Sequence, residues 1–165
     1  MLVDFESLDN SARIWIYQSN REFSTNEMEI INAKVESFLH NWVRHGEDLK
    51  ASYLMKYNQF IVLAVDEDFN NVSGCSIDAS VNLMKQFEKQ FSLDLTNKLN
   101  ISFKDNDNIN VVPLADFQKF IKEEKITSKT VVFNNMVATK GDFNSKWEVE
   151  AKESWHNRFL AINKA

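Results

Sequence analysis

Cys75 is the only cysteine of this 165-residue chain, and its position makes it the first candidate for chemistry. It lies within residues 66–80, which follow the most hydrophobic run of the chain, Phe60–Val65, and lead into a helical pattern. Amides at a helix start can hold an anion or lower the pKa of a nearby thiol. With Ser76 as the predicted cap of this helix, the junction is expected to hold either a reactive thiolate or an anion site.

A thiol-dependent hydrolase or transferase is one hypothesis for this junction. Such an enzyme needs an imidazole beside the thiol, and His45, predicted at a helix end, is the best placed of the three histidines. Asp78 could orient that ring. Known thiol signatures do not match, because Val81 stands where a C-x-x-x-x-x-R phosphatase motif has its Arg and Asp78 where a redox C-x-x-C motif has its second Cys. The competing interpretation is that Cys75 is a small buried residue at a tight turn.

A non-catalytic binding or interaction domain is the favoured hypothesis. Its polar pocket would use Ser73, Gly74 and Ser76 and would take a small anionic ligand or a protein partner. We expect this pocket where residues 73–80, the end of the Phe60–Val65 strand and the turn around His45 and Gly46 meet.

Three other groups of polar residues are considered as binding sites. Asn134 and Asn135 interrupt a strand pattern, and their amides can hydrogen-bond a ligand or the nearby backbone. The acidic run at 66–68 matches no metal motif and is expected to be a solvated loop. His40 and His45 are five residues apart and do not share a helix face, so zinc is not expected. No metal and no cofactor are predicted.

The glycines exclude two nucleotide-binding motifs. Gly46, Gly74 and Gly141 are the only three in the chain, and they lie far apart. A Walker A loop needs the pattern G-x-x-x-x-G-K-[ST], and a dinucleotide fingerprint needs G-x-G-x-x-G. Neither pattern can be placed, so the chain is not predicted to be a P-loop protein.

Composition limits the partners and the compartment. A net charge of −5 argues against broad binding to nucleic-acid phosphates. The first ten residues carry acids where a signal peptide would carry bases, and the longest apolar run, Phe60–Val65, is too short to span a membrane. A lone cysteine fits a reducing compartment. We therefore predict a cytoplasmic protein that binds no nucleic acid and has no membrane span.

Hydrophobic patterns predict the strands and helices. The unbroken run at 60–65 predicts a strand buried on both faces. The capping box Ser24-Thr25-Asn26-Glu27 opens a helix that is expected to reach residue 45, with Gly46 as its C-terminal cap. Trp155 is expected to anchor a terminal helix, with His156 pointing elsewhere. The other predicted strands lie at 13–18, 52–57, 101–104, 109–112 and 130–138, and the other helices at 76–91, 114–125 and 147–159.

This order of elements predicts an α+β fold in a single globular domain over residues 1–165. The first six elements run β-α-β-β-α-β, which is the order of a ferredoxin-like sandwich, with a β-α-β-α extension at the C-terminus. The sheet is expected to be mostly antiparallel. In the ferredoxin-like arrangement the first and third strands, at 13–18 and 60–65, are both central.

Several segments resemble a known family. They are Trp42-x-x-His45-Gly46, Lys50-Ala51-Ser52-Tyr53, the run SGCSIDAS from Ser73 to Ser80, Phe133-Asn134-Asn135 and Lys152-Glu153-Ser154-Trp155-His156. Together they resemble a family of small uncharacterised bacterial proteins that are often labelled "ABC transporter ATPase". The resemblance implies a bacterial protein and no particular activity. No Walker A motif and no LSGGQ-like signature supports ATPase activity here.

Overall fold

The computed structural model describes residues 1–163, which form a mixed α+β fold with antiparallel strand pairs, as the sequence predicts. The chain divides into two units. The first contains Met1–Thr96 and Ala138–Gly141, and the second contains Asn97–Val137 and the chain from Asp142 on. The single domain expected over 1–165 stays a prediction, and residues 164 and 165 lie outside the described part.

The first unit is built around a three-stranded sheet in the order β1-β5-β4. All six residues of the central strand β5 are fully buried, which confirms the expectation for this apolar run. The elements of this unit are β1 (Arg13–Gln18), α1 (Thr25–His40), β2 (Val43–Arg44), β3 (Glu47–Asp48), β4 (Ala51–Lys56), β5 (Phe60–Val65) and α2 (Gly74–Phe91).

Both long helices contribute to one apolar cluster with this sheet. One stripe of α1 and one stripe of α2 meet alternate residues of β5, because side chains on one sheet face recur at every second position. Burying these stripes fixes where the ends of the two helices lie. The buried residues that α1, α2 and β5 supply to the cluster are Ile31, Val35, Leu39, Leu83, Met84, Phe87, Ile61, Leu63 and Val65.

The start of α1 follows the predicted capping box, but its end does not follow the prediction. Ser24 Oγ accepts a hydrogen bond from the Glu27 amide at 3.1 Å, and Glu27 Oε1 accepts one from the Ser24 amide at 2.9 Å. The helix ends at His40, five residues before the predicted end. His45 and Gly46 both have positive φ, 51° and 81°, so they form the turn of the β2–β3 hairpin and not a helix cap.

A short segment from later in the chain closes the first unit. Ile14 donates its amide to Ala138 O at 2.9 Å, and Gly141 donates its amide to Asn10 O at the same distance. The Lys140 side chain is buried and donates from Nζ to Leu8 O at 2.7 Å. We call Ala138–Gly141 the strap, because it fastens residues near the N-terminus to the edge strand β1.

The second unit contains a four-stranded antiparallel sheet in the order β7-β6-β8-β9. Its apolar cluster joins β6 to α3 and α5, with Phe103, Phe117 and Phe159 among the buried residues. The elements are β6 (Asn100–Asp105), β7 (Asn108–Pro113), α3 (Leu114–Lys122), β8 (Val131–Phe133), α4 (Lys140–Lys146, whose first two residues belong to the strap), β9 (Glu148–Glu150) and α5 (Asn157–Asn163).

Two predicted elements of this unit are wrong. The strand expected at 130–138 ends at Phe133, because Asn134 folds its side chain onto the Met136 amide at 3.1 Å. The helix expected at 147–159 is instead β9, a 3-10 turn and α5. The four-residue spacing of large apolar residues there arises from separate contacts, since Trp147 packs on Phe133 at 4.8 Å between ring centroids.

The strand order differs from the predicted ferredoxin-like one. The strand at 13–18 was expected at the centre, but β1 is an edge strand that pairs antiparallel with β5. The fourth strand of the predicted sandwich corresponds to β6, which pairs with β7 and β8 in a separate sheet. The pattern of elements is compatible with either arrangement, and strand pairing is set by contacts distant in sequence.

Candidate functional site

A groove of about 510 Å³ lies in the first unit, between the end of α1, the β2–β3 hairpin and the start of α2. It brings together four residues that the sequence analysis singled out, His45, Ser73, Cys75 and Ser76. Gly46, Gly74 and the end of β5 were also expected there, but they do not line it. The complete lining is Ser37, Phe38, Asn41, Trp42, Val43, His45, Ser73, Cys75, Ser76 and Ala79.

Ser73 caps the start of α2 and lines the groove. It has extended backbone angles, and its Oγ accepts a hydrogen bond from the Ser76 amide at 3.2 Å. The cap is therefore Ser73 and not Ser76 as predicted. The amides of Gly74 and Cys75 have no acceptor within residues 1–163. Two free amides at a helix start favour a negatively charged ligand group.

Ser76 has a structural role that its sequence position does not reveal. Its side chain is 4% exposed, and its Oγ donates to Val43 O at 2.7 Å. Its own carbonyl accepts a hydrogen bond from Trp42 Nε1 at 2.9 Å. These two bonds join the first turn of α2 to β2 and to the residues after α1. Ser76 therefore maintains the shape of the groove and has its hydroxyl already occupied.

Phe38, Trp42 and Val43 give the groove an apolar wall. Phe38 and Trp42 lie 5.2 Å apart between ring centroids, and Trp42 meets Trp15 edge to face at 6.1 Å. Val43 adds an exposed apolar side chain. In the sequence, the helical spacing of Phe38 and Trp42 predicts that both pack in the core, and it gives no signal of this wall. The early end of α1 at His40 is what places Trp42 beside α2.

The proposed catalytic residues Cys75, His45 and Asp78 are not joined by hydrogen bonds in the described chain. Cys75 is exposed, so the interpretation of a buried cysteine is wrong. Cys75 and His45 line the same groove, yet no hydrogen bond joins them in the described chain. Asp78 is exposed on α2, does not line the groove and has no hydrogen bond or ion pair with either residue. Residues 1–163 therefore contain no hydrogen-bonded arrangement of Cys75, His45 and Asp78.

Asn134 and Asn135 belong to the second unit and are engaged locally. The Asn134 side chain accepts from the Met136 amide, and Asn135 Oδ1 accepts from Trp147 Nε1 at 2.9 Å. Neither residue lines the groove. Their side chains shape the end of β8, which is the second of the two roles that the sequence left open.

The acidic run after β5 is a hydrogen-bonded loop. Asp66 Oδ1 accepts from the Asp68 amide at 3.0 Å, Glu67 Oε2 accepts from the Val72 amide at 3.2 Å, and Asp66 lies 3.7 Å from Lys50 Nζ. Within residues 1–163, no three His, Cys, Asp or Glu side chains are grouped so that they could hold a metal ion. None of the described helices is both long and apolar enough to cross a membrane.

No protein-family model, no curated protein and no solved structure matches this chain. The groove and its chemistry are therefore the basis for any functional proposal.

Proposed function

We propose that this chain is a non-catalytic cytoplasmic binding domain whose ligand carries a negatively charged group and occupies the groove in the first unit. One observation carries the proposal: the free amides of Gly74 and Cys75 lie at the start of α2, beside a groove of about 510 Å³. The apolar wall of Phe38, Trp42 and Val43 would contact the rest of the ligand. A small anion or the acidic group of a protein partner would meet these requirements.

The resemblance to the small bacterial family supports the same location. Its segments include Trp42 to Gly46 and Ser73 to Ser80, and these two stretches supply most of the groove. Membership of that family is part of the proposal.

Gly74 allows a direct test, because a single substitution can remove one amide N–H without breaking the helix. Gly74 is the first residue of α2, where proline is well tolerated, and Ser73 before it is already extended. A Cβ at Gly74 meets no atom within 4 Å. Gly74→Pro therefore deletes a donor to the anion, and Gly74→Ala is the matched control that keeps it.

Inorganic phosphate is the probe, titrated into ¹⁵N-labelled protein while the Cys75 amide resonance is followed. We expect saturable shifts for the wild-type chain and Gly74→Ala. For Gly74→Pro we expect at least about tenfold weaker binding, since a hydrogen bond to a charged group contributes about 1.5–3 kcal/mol. Equal affinities for the two variants, or no saturable shift in the wild-type chain, would contradict the proposal.

A thiol-dependent enzyme that uses Cys75 with His45 is the second candidate. The exposed thiol and its place in the same groove as His45 favour it, although no hydrogen bond joins them. Catalytic hydrogen bonds can be long in a ligand-free enzyme and shorten when substrate binds. The test compares the pH dependence of Cys75 alkylation in the wild-type chain and in His45→Ala. Identical profiles that keep rising through about pH 8.5, as for a model thiol, would exclude activation by His45.

A further inference from the structure

His156 is a buried histidine in the second unit that the proposed function does not use. Its side chain is 1% exposed, and Nδ1 lies 2.8 Å from Ser154 Oγ. The ring stacks on Trp155 at 3.8 Å between centroids and packs on Phe117 of α3 at 5.6 Å. The sequence pattern predicted that Trp155 would anchor the helix and that His156 would point elsewhere, and the burial of His156 shows that this prediction is wrong.

The ring is held by packing more than by hydrogen bonds. Nε2 of His156 is buried and has no partner in the described chain, and the same is true of Trp155 Nε1. A buried polar atom without a partner costs free energy, and a charged imidazole in this position would cost more, because both of its nitrogens must then donate. The environment therefore requires a neutral ring.

The described part of the chain offers the His156 ring no counter-ion that would stabilise its charged form. His156 forms no ion pair within residues 1–163. The nearby cation, Arg158, lies over the rings of Trp155 and Phe159, at 5.7 and 4.7 Å, and opposes a second positive charge. All charged side chains of the elements packed around the ring are exposed, namely Asp116, Lys119 and Lys122 on α3, Lys152 and Glu153 on the 3-10 turn, and Arg158 on α5.

The position of His156 in the chain links its ring to α5. Its carbonyl accepts a hydrogen bond from the Phe159 amide at 3.0 Å, so the residue begins the first turn of that helix. A positive charge at a helix start is also unfavourable with respect to the helix dipole. Phe159 and Leu160 of α5 share one apolar cluster with Phe117 of α3. Movement of the ring would displace the first turn of α5 and disturb this cluster.

We propose that His156 is an acid-sensitive latch that holds α5 against α3 while its ring is neutral. Protonation expels the ring from its site beside Phe117 and releases α5, which uncovers the apolar surface of α3. The device makes the exposure of this surface depend on pH, independently of the groove in the first unit.

Burial lowers the pKa of His156 from 6.5 to about 4, so α5 is expected to be released at acidic pH and held at neutral pH. Between these values the released state binds a proton that the docked state does not. The docked state is therefore fully favoured above pH 6.5 and loses its advantage as the pH falls toward 4. From pH 7 to pH 5 the ratio of docked to released α5 should fall about 20-fold.

Hydrogen exchange of the intact chain at pH 7 and pH 5, corrected for the intrinsic exchange rates, tests the latch. We expect the amides of α5 to lose about 20-fold in protection, while amides of α1 in the first unit keep theirs. In His156→Phe, which retains an aromatic ring that cannot titrate, α5 should keep its protection at pH 5. The same loss in His156→Phe, or equal losses in α1 and α5, would overturn the proposal.

If His156→Phe does not fold, titration of His156 in the wild-type chain tests the latch directly. The Hε1 resonance of His156 is followed by NMR in the wild-type chain. The latch requires that the docked ring remain neutral well below the midpoint of a model imidazole. A ring that titrates near pH 6.5 while α5 stays protected would overturn the proposal.

Discussion

Ser76 shows how a residue that looks like a ligand contact can instead hold a site together. Its Oγ donates to Val43 O from a side chain that is buried, and the bond itself is partly buried. We expect Ser76→Ala to lower the free energy of unfolding by about 1–3 kcal/mol, because Val43 O loses its buried donor. Urea denaturation measures the change. Asp78→Ala, two residues further along α2 and exposed, is the control and should change stability by less than about 0.5 kcal/mol. Equal effects of the two substitutions would contradict this role.

Residue types near Cys75 predicted part of the groove but not its internal bonds. Ser73, Cys75 and His45 line one groove, as their positions at a helix start and a turn suggested. The partners of Ser76 could not be predicted, since Val43 is 33 residues away in the chain. The helical spacing of Phe38 and Trp42 indicated only that both side chains are buried. A helix stripe indicates which side chains are apolar, not which of them border an opening.

The pairing of Arg21 with Glu27 links the ends of two helices. Arg21 Nη1 and Nη2 each donate to a Glu27 carboxylate oxygen at 2.8 Å, and Nη2 also donates to Phe91 O at the end of α2 at 2.7 Å. These hydrogen bonds, with that of the Ser24 amide, lower the pKa of Glu27 from 4.5 to about 2. The stabilisation is therefore present above pH 4.5 and is lost as the pH falls toward 2.

We expect Arg21→Ala to raise the pKa of Glu27 toward its ordinary value and to reduce stability at pH 7. The loss should be about 1 kcal/mol, a figure that allows for screening, because the Arg21 side chain is 41% exposed. The Glu27 carboxyl resonance measures the pKa, and denaturation at pH 7 and pH 3 measures the stability. The difference between wild type and variant should shrink at pH 3. Lys119→Ala, which breaks an exposed pair with Glu123, is the control, and an unchanged Glu27 titration in Arg21→Ala would refute the linkage.

Elements with a strong local signal were predicted well. The strand at 13–18 and the run at 60–65 match β1 and β5, and the capping box starts α1 at Thr25. Local signals failed where a distant partner decided the conformation. Val149 pairs with Val132 in β9, which overrides the helical spacing of the apolar residues around it. A histidine followed by glycine fits both a helix end and a tight hairpin turn, and only tertiary contacts distinguish them.

At the scale of the whole molecule, the sequence did not predict which segments of the chain make up each unit. The chain completes most of the first unit by Thr96 and returns to it for only four residues, Ala138–Gly141. No change in amino-acid composition marks the points where the chain passes from one unit to the other. The sheet order β1-β5-β4 likewise depends on pairings that the element pattern does not specify.

The strap should be essential for the stability of the first unit. Lys140 Nζ donates to Leu8 O at 2.7 Å and to Glu6 O at 3.2 Å, in a site where the lysine is 4% exposed. We expect Lys140→Met to lower the free energy of unfolding by about 1–3 kcal/mol, because a buried carbonyl loses its donor. Lys146→Met is the control on the same short helix, since its side chain is 68% exposed.

Denaturant unfolding and hydrogen exchange of residues 5–14 together test the prediction for the strap. Lys140→Met should increase exchange at the amides of Ala12 and Ile14 more than at those of β5. A uniform increase, or the same loss of stability in Lys146→Met, would show that the Lys140 bonds have no special role.

The strap also has a consequence for folding during synthesis. Its bond to Leu8 joins residues separated by 132 positions, and the intervening chain forms part of a different unit. A ribosome must therefore translate beyond Gly141 before the N-terminal segment can reach its final contacts. Until then the outer edge of β1 lacks its Ala138 partner, and an unpaired strand edge can associate with other chains. The nascent chain would be most vulnerable to misassembly between the emergence of Thr96 and that of the strap.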